Sequence, residues 1–289
     1  MHPAPSIIVF STLSGLGFGL LAWLGMDPTP PTGWVAFVFF TIGYGLAGGG
    51  FISSTFHLGH PERALGALSQ GGSSWLGREA VGAVAAMGVM GIYALGLIFD
   101  TQIAPLGWIG AALSLGVVFT TSMIYAQLPT VPRWHTALTP ILFLSLAVAG
   151  GALLSGRIYV SGVLLLLAGL VQIAWWRRAD TAFAKSGTTL ATATGLGTKG
   201  EVRSFAPPHS SPNYLMKEMV HVVGRRHADR LRVIALVLAY VLPSLPLALP
   251  YPHLFGAFAV LSHIAGVLVS RWLFFAQAEH VVGLYYGMR

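Results

Sequence analysis

Two ionisable side chains, His57 and Glu79, stand 22 residues apart in the stretch STFHLGHPERALGALSQGGSSWLGREA, residues 54–80. The stretch holds two histidines, two arginines and two glutamates, while the segments on either side are almost wholly apolar. Histidine is the side chain whose ordinary range lies closest to neutral pH, and a carboxylate can pass a proton to or from water. Ionisable groups inside or at the edge of a membrane are functional candidates by default. The pair suits a ligand whose redox state and protonation change together, as a quinone does on becoming a quinol. The plainer alternative is that Glu79 neutralises Arg78 or Arg63 while His57 caps the preceding helix, and spacing alone leaves both open. Tyr125 and Gln127, at the end of a later apolar run, and Arg271 in SRWLFFAQAEHVVGLYYG fall at the same edge. Each is a candidate to line a quinone pocket or, equally, an interface anchor. His263 reads as a mid-helix histidine without an evident facing partner, so no haem is expected on this chain. No HExxH spacing occurs, and no metal site is expected.

The elements that position these groups follow from composition. The 289 residues are 55% hydrophobic and only 9% charged, with a mean hydropathy of +0.72. Soluble domains carry roughly 25% charged residues, so a water-facing surface cannot be built from this stock. The chain is expected to be an all-α integral membrane protein forming a single domain over 1–289. There are no cysteines, so any thiolate-ligated iron–sulfur cluster must belong to a partner. A spanning helix needs about 20 mostly apolar residues, and eight segments qualify: roughly 5–25, 34–57, 79–99, 106–127, 138–155, 158–176, 231–249 and 254–276. The first run has no basic leader and is expected to be retained as a helix rather than removed as a signal. Gly15 with Gly19, and Gly45 with Gly49, have the spacing of close helix crossings. PERALGAL is expected to form a short interfacial helix with Pro61 in its first turn, and Ser73 or Ser74 to cap the next helix.

One long loop, about 177–230, differs from the rest. It opens on Trp175, Trp176, Arg177 and Arg178, continues as a small, polar, proline-bearing segment, and then reads NYLMKEMVHVVGRRHADRLR. Leu215, Met219, Val222 and Val223 recur there at helical spacing, which predicts an amphipathic helix lying on the membrane or against a partner. A loop of this length without its own core is expected to dock onto something. Charge sets the orientation. With the N-terminus in the cytoplasm, every Lys and Arg except Arg157 lies at or near the cytoplasmic side, and Asp27 and Asp100 lie opposite. Both termini are thus expected inside. The +7 charge reflects this topology rather than a nucleic-acid partner. A transporter is the rival class, with Gly48–Gly50 the nearest feature to a broken helix, but the charges crowd the helix ends.

FHLGHPERALGALSQGGSSWLGREA, MIYAQLPTVPRWH, NYLMKEM and RWLFFAQAEHVVGLYYG together resemble the DmsC family, the membrane anchors of dimethyl sulfoxide reductase and related molybdenum enzymes. The resemblance covers nearly the whole chain. It implies an eight-helix, haem-free anchor in a bacterial inner membrane, bound to a molybdopterin catalytic subunit and a ferredoxin-like iron–sulfur subunit. It also implies exchange of electrons with ubiquinone or menaquinone. His57 and Glu79 match family positions implicated in quinol binding, with Arg63 and Arg78 as supports. Within the family, MHPAPSIIVFSTLSGLGFGLL and TATGLGTKGEVRSFAPPHSSPNYLMKEM look most like anchors of the cytoplasmic sulfite dehydrogenase type. That implies electrons running from sulfite to quinone. The reverse flow, from quinol to an S- or N-oxide, would use the same residues.

Overall fold

A computed structural model of the chain describes residues 1–56, 58, 60–206, 211, 213–219, 227–245 and 252–287. Its long helices are α1 (Pro5–Met26), α2 (Gly33–Thr55), α3 (Trp75–Ile98), α4 (Ala104–Ala126), α5 (Leu138–Leu154) and α6 (Ile158–Lys185). Shorter helices follow: α7 (Leu190–Thr194), α8 (Tyr214–Met219), α9 (Ala228–Leu236) and α10 (Leu242–Ser244). The long α11 (Gly256–Ala276) closes the bundle. Six of these, α1 to α4, α6 and α11, are long and apolar enough to cross a membrane, and α5 is a shorter apolar helix of 17 residues. Apolar side chains run right round several of them. Val35, Phe37, Val38 and Ile42 on α2, and Val163, Leu166, Leu167 and Leu170 on α6, are all exposed. A helix apolar on every face belongs in lipid, so this is an integral membrane protein.

Helix α1 is the central post. It buries 72% of its apolar stretch, whereas α2 buries 28%, and it packs against α2, α4, α5 and α11. Small residues permit this. A Cβ on Gly19 would run into the backbone of Ala147 on α5, and one on Gly17 would meet the backbone of Gly43 and Ala47 on α2. Of the glycine pairs expected to mark crossings, only Gly19 does so; Gly15, Gly45 and Gly49 face open space. On α2 the close contacts are made by Gly43 and Gly50. GxxxG spacing shows that a small-residue stripe exists but not which face meets a neighbour.

The span expected over 231–249 is not one α-helix. Helix α9 passes into a π-helical turn, Val237–Val241, and then α10; residues 246–251 lie outside the described residues. Pro243 explains the break. It has no N–H to give the Ala239 carbonyl one turn earlier, and the Leu242 N–H bonds instead to Val237 O. The carbonyls of Leu238 and Ala239 are left over. On α11, Ser262 Oγ donates to Leu238 O at 2.8 Å and His263 Nδ1 donates to Ala239 O at 2.7 Å. Side chains of a neighbouring helix thus satisfy backbone groups that hydrocarbon could not.

Two ends of the bundle are distinguishable. At one, Ser53 Oγ donates to Ser6 O, the N-terminal ammonium donates to Ala278 O at 2.7 Å, and Val281 N donates to Thr130 O at 3.0 Å. The starts of α1 and α5 and the ends of α2, α4 and α11 therefore meet there. At the other end Arg157 pairs with Asp27 at 2.6 Å and lies over the Trp23 ring. Arg157 is thus neutralised by an aspartate at its own end.

Candidate functional site

The stretch from Pro61 to Glu79 folds onto the first turns of α3. Residues Pro61–Gln70 form a 3-10 helix with proline in its first turn, where its missing N–H costs nothing. Its apolar residues Leu65 and Leu68 are exposed, as an interfacial segment requires. The Gln70–Gly71 backbone then lies so close to Gly77 that any Cβ there would strike it. Arg78 secures this return, donating to Gly71 O at 3.4 Å and Gly72 O at 3.2 Å while stacking 4.4 Å from the Trp75 ring centroid. Ser74 is the N-cap residue of α3 but its side chain makes no capping bond.

Because α3 begins at Trp75 rather than at the carboxylate itself, Glu79 sits one turn inside the helix. It is 1% exposed. Its Oε1 is hydrogen-bonded to Thr121 Oγ1 on α4, and Thr121 Oγ1 also lies 2.9 Å from Val117 O. A hydroxyl has one proton and here two acceptors in reach. All three groups are satisfied together when Glu79 carries a proton and donates to Thr121, which then donates to Val117. Among the described residues Glu79 forms no ion pair with Arg63 or Arg78. Arg63 is exposed on the 3-10 helix, and Arg78 is occupied with the loop. His57, the other half of the expected pair, lies outside the described residues.

Tyr125 and Arg271 are brought toward the carboxyl side. Tyr125 follows Thr121 by four residues, one helical turn along α4. It is buried among Trp134, Phe143, Phe274 and Phe275, with ring centroids 5.3–5.8 Å away. Arg271 is buried on α11 with its guanidinium 3.5 Å from the Phe143 ring centroid. Phe143 therefore lies between Tyr125 and Arg271, and Tyr125 stands one turn along α4 from the Thr121 that holds Glu79. The structure thus groups Glu79, Tyr125 and Arg271 in the interior and leaves Arg63 and Arg78 at the surface.

A second polar cluster braces the same end and was missed from sequence. Asp180, on the extension of α6 beyond the span expected to stop at 176, takes Arg133 at 2.7 Å and Arg232 at 2.6 Å and 2.9 Å. Gln277 Oε1 receives weaker bonds from both arginines, and Arg178 donates to Pro132 O and His135 O. Burial holds the Arg133 guanidinium below its ordinary range, while the Asp180 hydrogen bond and charge oppose that shift. Asp180 is the signal that was available: a lone acid in RRADTAFAK, flanked by basic segments, needs cationic partners. The expected loop is also more tethered than its composition suggests. Asn213 bonds to Tyr286 and Tyr285 to Ala193 O, so α7 and α8 rest on the C-terminal 3-10 turn Val281–Tyr286. Of the predicted amphipathic helix, α8 spans Tyr214–Met219; Val222 and Val223 lie outside the described residues.

Comparison with known proteins places the chain. The family profile described as DMSO reductase anchor subunit (DmsC) matches residues 21–287. A sulfite dehydrogenase subunit of Allochromatium vinosum is 33% identical over 99% of both chains. Two Escherichia coli proteins match shorter parts. The anaerobic dimethyl sulfoxide reductase chain YnfH is 34% identical over 39% of this chain and 41% of its own, and another anaerobic dimethyl sulfoxide reductase chain is 36% identical over 38% and 39%. No solved structure matches. The chain belongs to the family of DMSO reductase anchor subunits, DmsC, and is a membrane anchor of an oxidoreductase complex.

Proposed function

We propose that this chain is the quinone-exchanging anchor of a cytoplasm-facing sulfite dehydrogenase, an eight-span subunit of a bacterial inner membrane with both termini inside. The observation that carries the reading is Glu79: a carboxyl buried one turn within the bundle, bonded to a neutral hydroxyl and unpaired with either nearby arginine. Such a group can hold a proton at the boundary between water and a lipid-soluble ligand. A glutamate serving only to neutralise Arg78 would instead lie against it. In this reading α5 and the α9–α10 segment complete the eight spans, and the meeting of both termini at one end supports the even count.

The catalytic molybdopterin and the iron–sulfur clusters belong to partner subunits, since this chain has no cysteine to ligate a cluster. Sulfite and water yield sulfate, two protons and two electrons; the electrons pass through the partners and, with two protons taken from the cytoplasmic side, convert quinone to quinol. On this chain His57 and Glu79 would hydrogen-bond the quinone oxygens and supply those protons. Tyr125 and Arg271 would close the inner wall, while Arg63 and Arg78 hold the covering loop. The full-length likeness to a sulfite dehydrogenase subunit favours sulfite over an S- or N-oxide, because the reductase chains match little more than a third of this sequence. The test is to purify the native complex and measure sulfite-dependent quinone reduction. Replacing His57 by Ala should abolish that rate while sulfite oxidation with an artificial acceptor survives. Unchanged quinone reduction would remove His57 from the site, and a complex active only from quinol to an S- or N-oxide would reverse the direction.

A further inference from the structure

A cavity of about 10 Å3 lies between α1, α5 and α11, lined by Thr12, Gly15, Leu146, Ala147, His263 and Arg271 among others. Three buried polar atoms in its walls have no hydrogen-bond partner: Thr12 Oγ1, His263 Nε2 and Arg271 Nε. Their residues are 1%, 1% and 3% exposed. An orphan in so dry a place is costly, most of all when it is charged, so three of them on residues that line one small space point to a ligand that satisfies them.

The hydrogen-bonding senses identify that ligand. A carbonyl only accepts, so the bond to Ala239 O requires a proton on His263 Nδ1. In the neutral ring Nε2, on a residue that lines the cavity, is then an acceptor without a partner. Arg271 Nε is a donor, and the Thr12 hydroxyl can serve in either sense. We propose that this cavity binds one water molecule, which donates to His263 Nε2, accepts from Arg271 Nε and completes its shell with Thr12. The volume is on the scale of a single water and admits no ring. A Cβ on Gly150 would strike Leu16 Cδ2 at 2.3 Å and come within 2.9 Å of His263 Nε2, so it would displace two residues of the cavity wall.

The cavity shares Arg271 with the inner wall of the proposed quinone site, but Thr12 and His263 belong to it alone. It links the two consequences of the helix break. Pro243 frees the Ala239 carbonyl, that carbonyl fixes the His263 tautomer, and the tautomer presents a lone pair to the water that steadies Arg271. Arg271 is then positioned over Phe143 by a neutral partner, not by a carboxylate.

The test is a cryo-EM map of the detergent-solubilised complex at a resolution that shows ordered waters. One isolated density within hydrogen-bond distance of all three atoms is expected, lost in Gly150→Ala and lost or weakened in Thr12→Val. Thr12→Val serves alone if Gly150→Ala does not assemble. The proposal is overturned by well-resolved side chains around no density, by direct pairing of the three groups, by a larger ligand in the space, or by full-strength density in the variants. Sulfite-to-quinone activity is no part of this readout, so the site stands or falls separately from the proposed reaction.

Discussion

Glu79 on α3 is bonded to the Thr121 hydroxyl on α4, and its neighbour Arg78 turns the other way to hold the backbone of Gly71 and Gly72. Two adjacent residues of opposite charge have thus been separated, one into the bundle and one to the surface. The separation sorts the roles of the polar stretch: Arg78 fixes the loop, and the carboxyl is left for chemistry.

Glu79→Gln keeps the shape and the hydrogen bond to Thr121 but removes the exchangeable acid. The complex should assemble with an unchanged rate toward an artificial acceptor and lose about a hundredfold in quinone-linked rate, the lower end of what a positioned acid or base contributes. Thr121→Val should lower the same rate less. Its thermal midpoint should fall as well, since the buried Glu79 carboxyl loses its partner and a buried group left without one costs about 1–3 kcal/mol. Equal loss with both acceptors would assign Glu79 to assembly instead.

Asp180 joins Arg133 and Arg232, tying the α4–α5 loop and the start of α9 to the end of α6. Asp180→Asn takes from two guanidinium groups the carboxylate that pairs with both, and one of them is only 11% exposed. Removing one member of a fully buried pair costs about 3–5 kcal/mol. Asp180 itself is 41% exposed, so solvent screening brings the expected loss down to about 1–2 kcal/mol. A thermal midpoint measured in detergent should fall, and proteolysis should open the segment after α6 before the rest. Arg232→Gln, which leaves Arg133 its partner, should be milder. Equal midpoints for Asp180→Asn and the parent would count against a bracing role.

His280 gives the pH dependence a sign. It sits beyond the end of α11, and burial, with the N-terminal ammonium adding to it, lowers its pKa from the ordinary value. Its Nδ1 accepts from Val282 N at 3.0 Å, a bond the protonated ring gives up. A base whose folded pKa is depressed binds protons more readily when unfolded. Its contribution is therefore intact above the ordinary histidine range and is lost as pH falls through that range toward the folded value. Thermal stability of the complex should decline on mild acidification, and His280→Gln should flatten that part of the profile. A decline of the same size in the variant would place the titrating group elsewhere.

The sequence announced the apolar helices, the polar stretch and the one-sided charge because each is a matter of composition over many residues. Depth and partnership were less legible. Glu79 reads as the first residue of a helix, but Ser74 starts that helix five residues sooner and carries the carboxyl inward. Helix α6 reads as ending at Trp176, where hydropathy drops; it continues to Lys185 because Asp180 finds cations on two other segments. Thr121 could have been found from its four-residue spacing to Tyr125, whereas the cavity that Thr12, His263 and Arg271 line joins distant helices and leaves no local mark. The break at Pro243 lies within an apolar run, so hydropathy passes over it.

That break gives the last prediction. Ser262→Ala strands the Leu238 carbonyl, which the π turn has already deprived of its helical donor. Hydrogen bonds between membrane helices average about 0.6 kcal/mol, but an orphaned buried acceptor costs about 1–3 kcal/mol. The larger figure should govern here, because Ser262 is 7% exposed and the apolar surroundings offer no substitute donor. Pro243→Ala restores an N–H opposite Ala239 and lets the segment return to regular α-helix, in which Leu242 N would bond to Leu238 O. In that background Ser262→Ala should cost little. A double-mutant cycle on thermal midpoints should show positive coupling between the two positions, and strictly additive losses would mean that the proline does not cause the break.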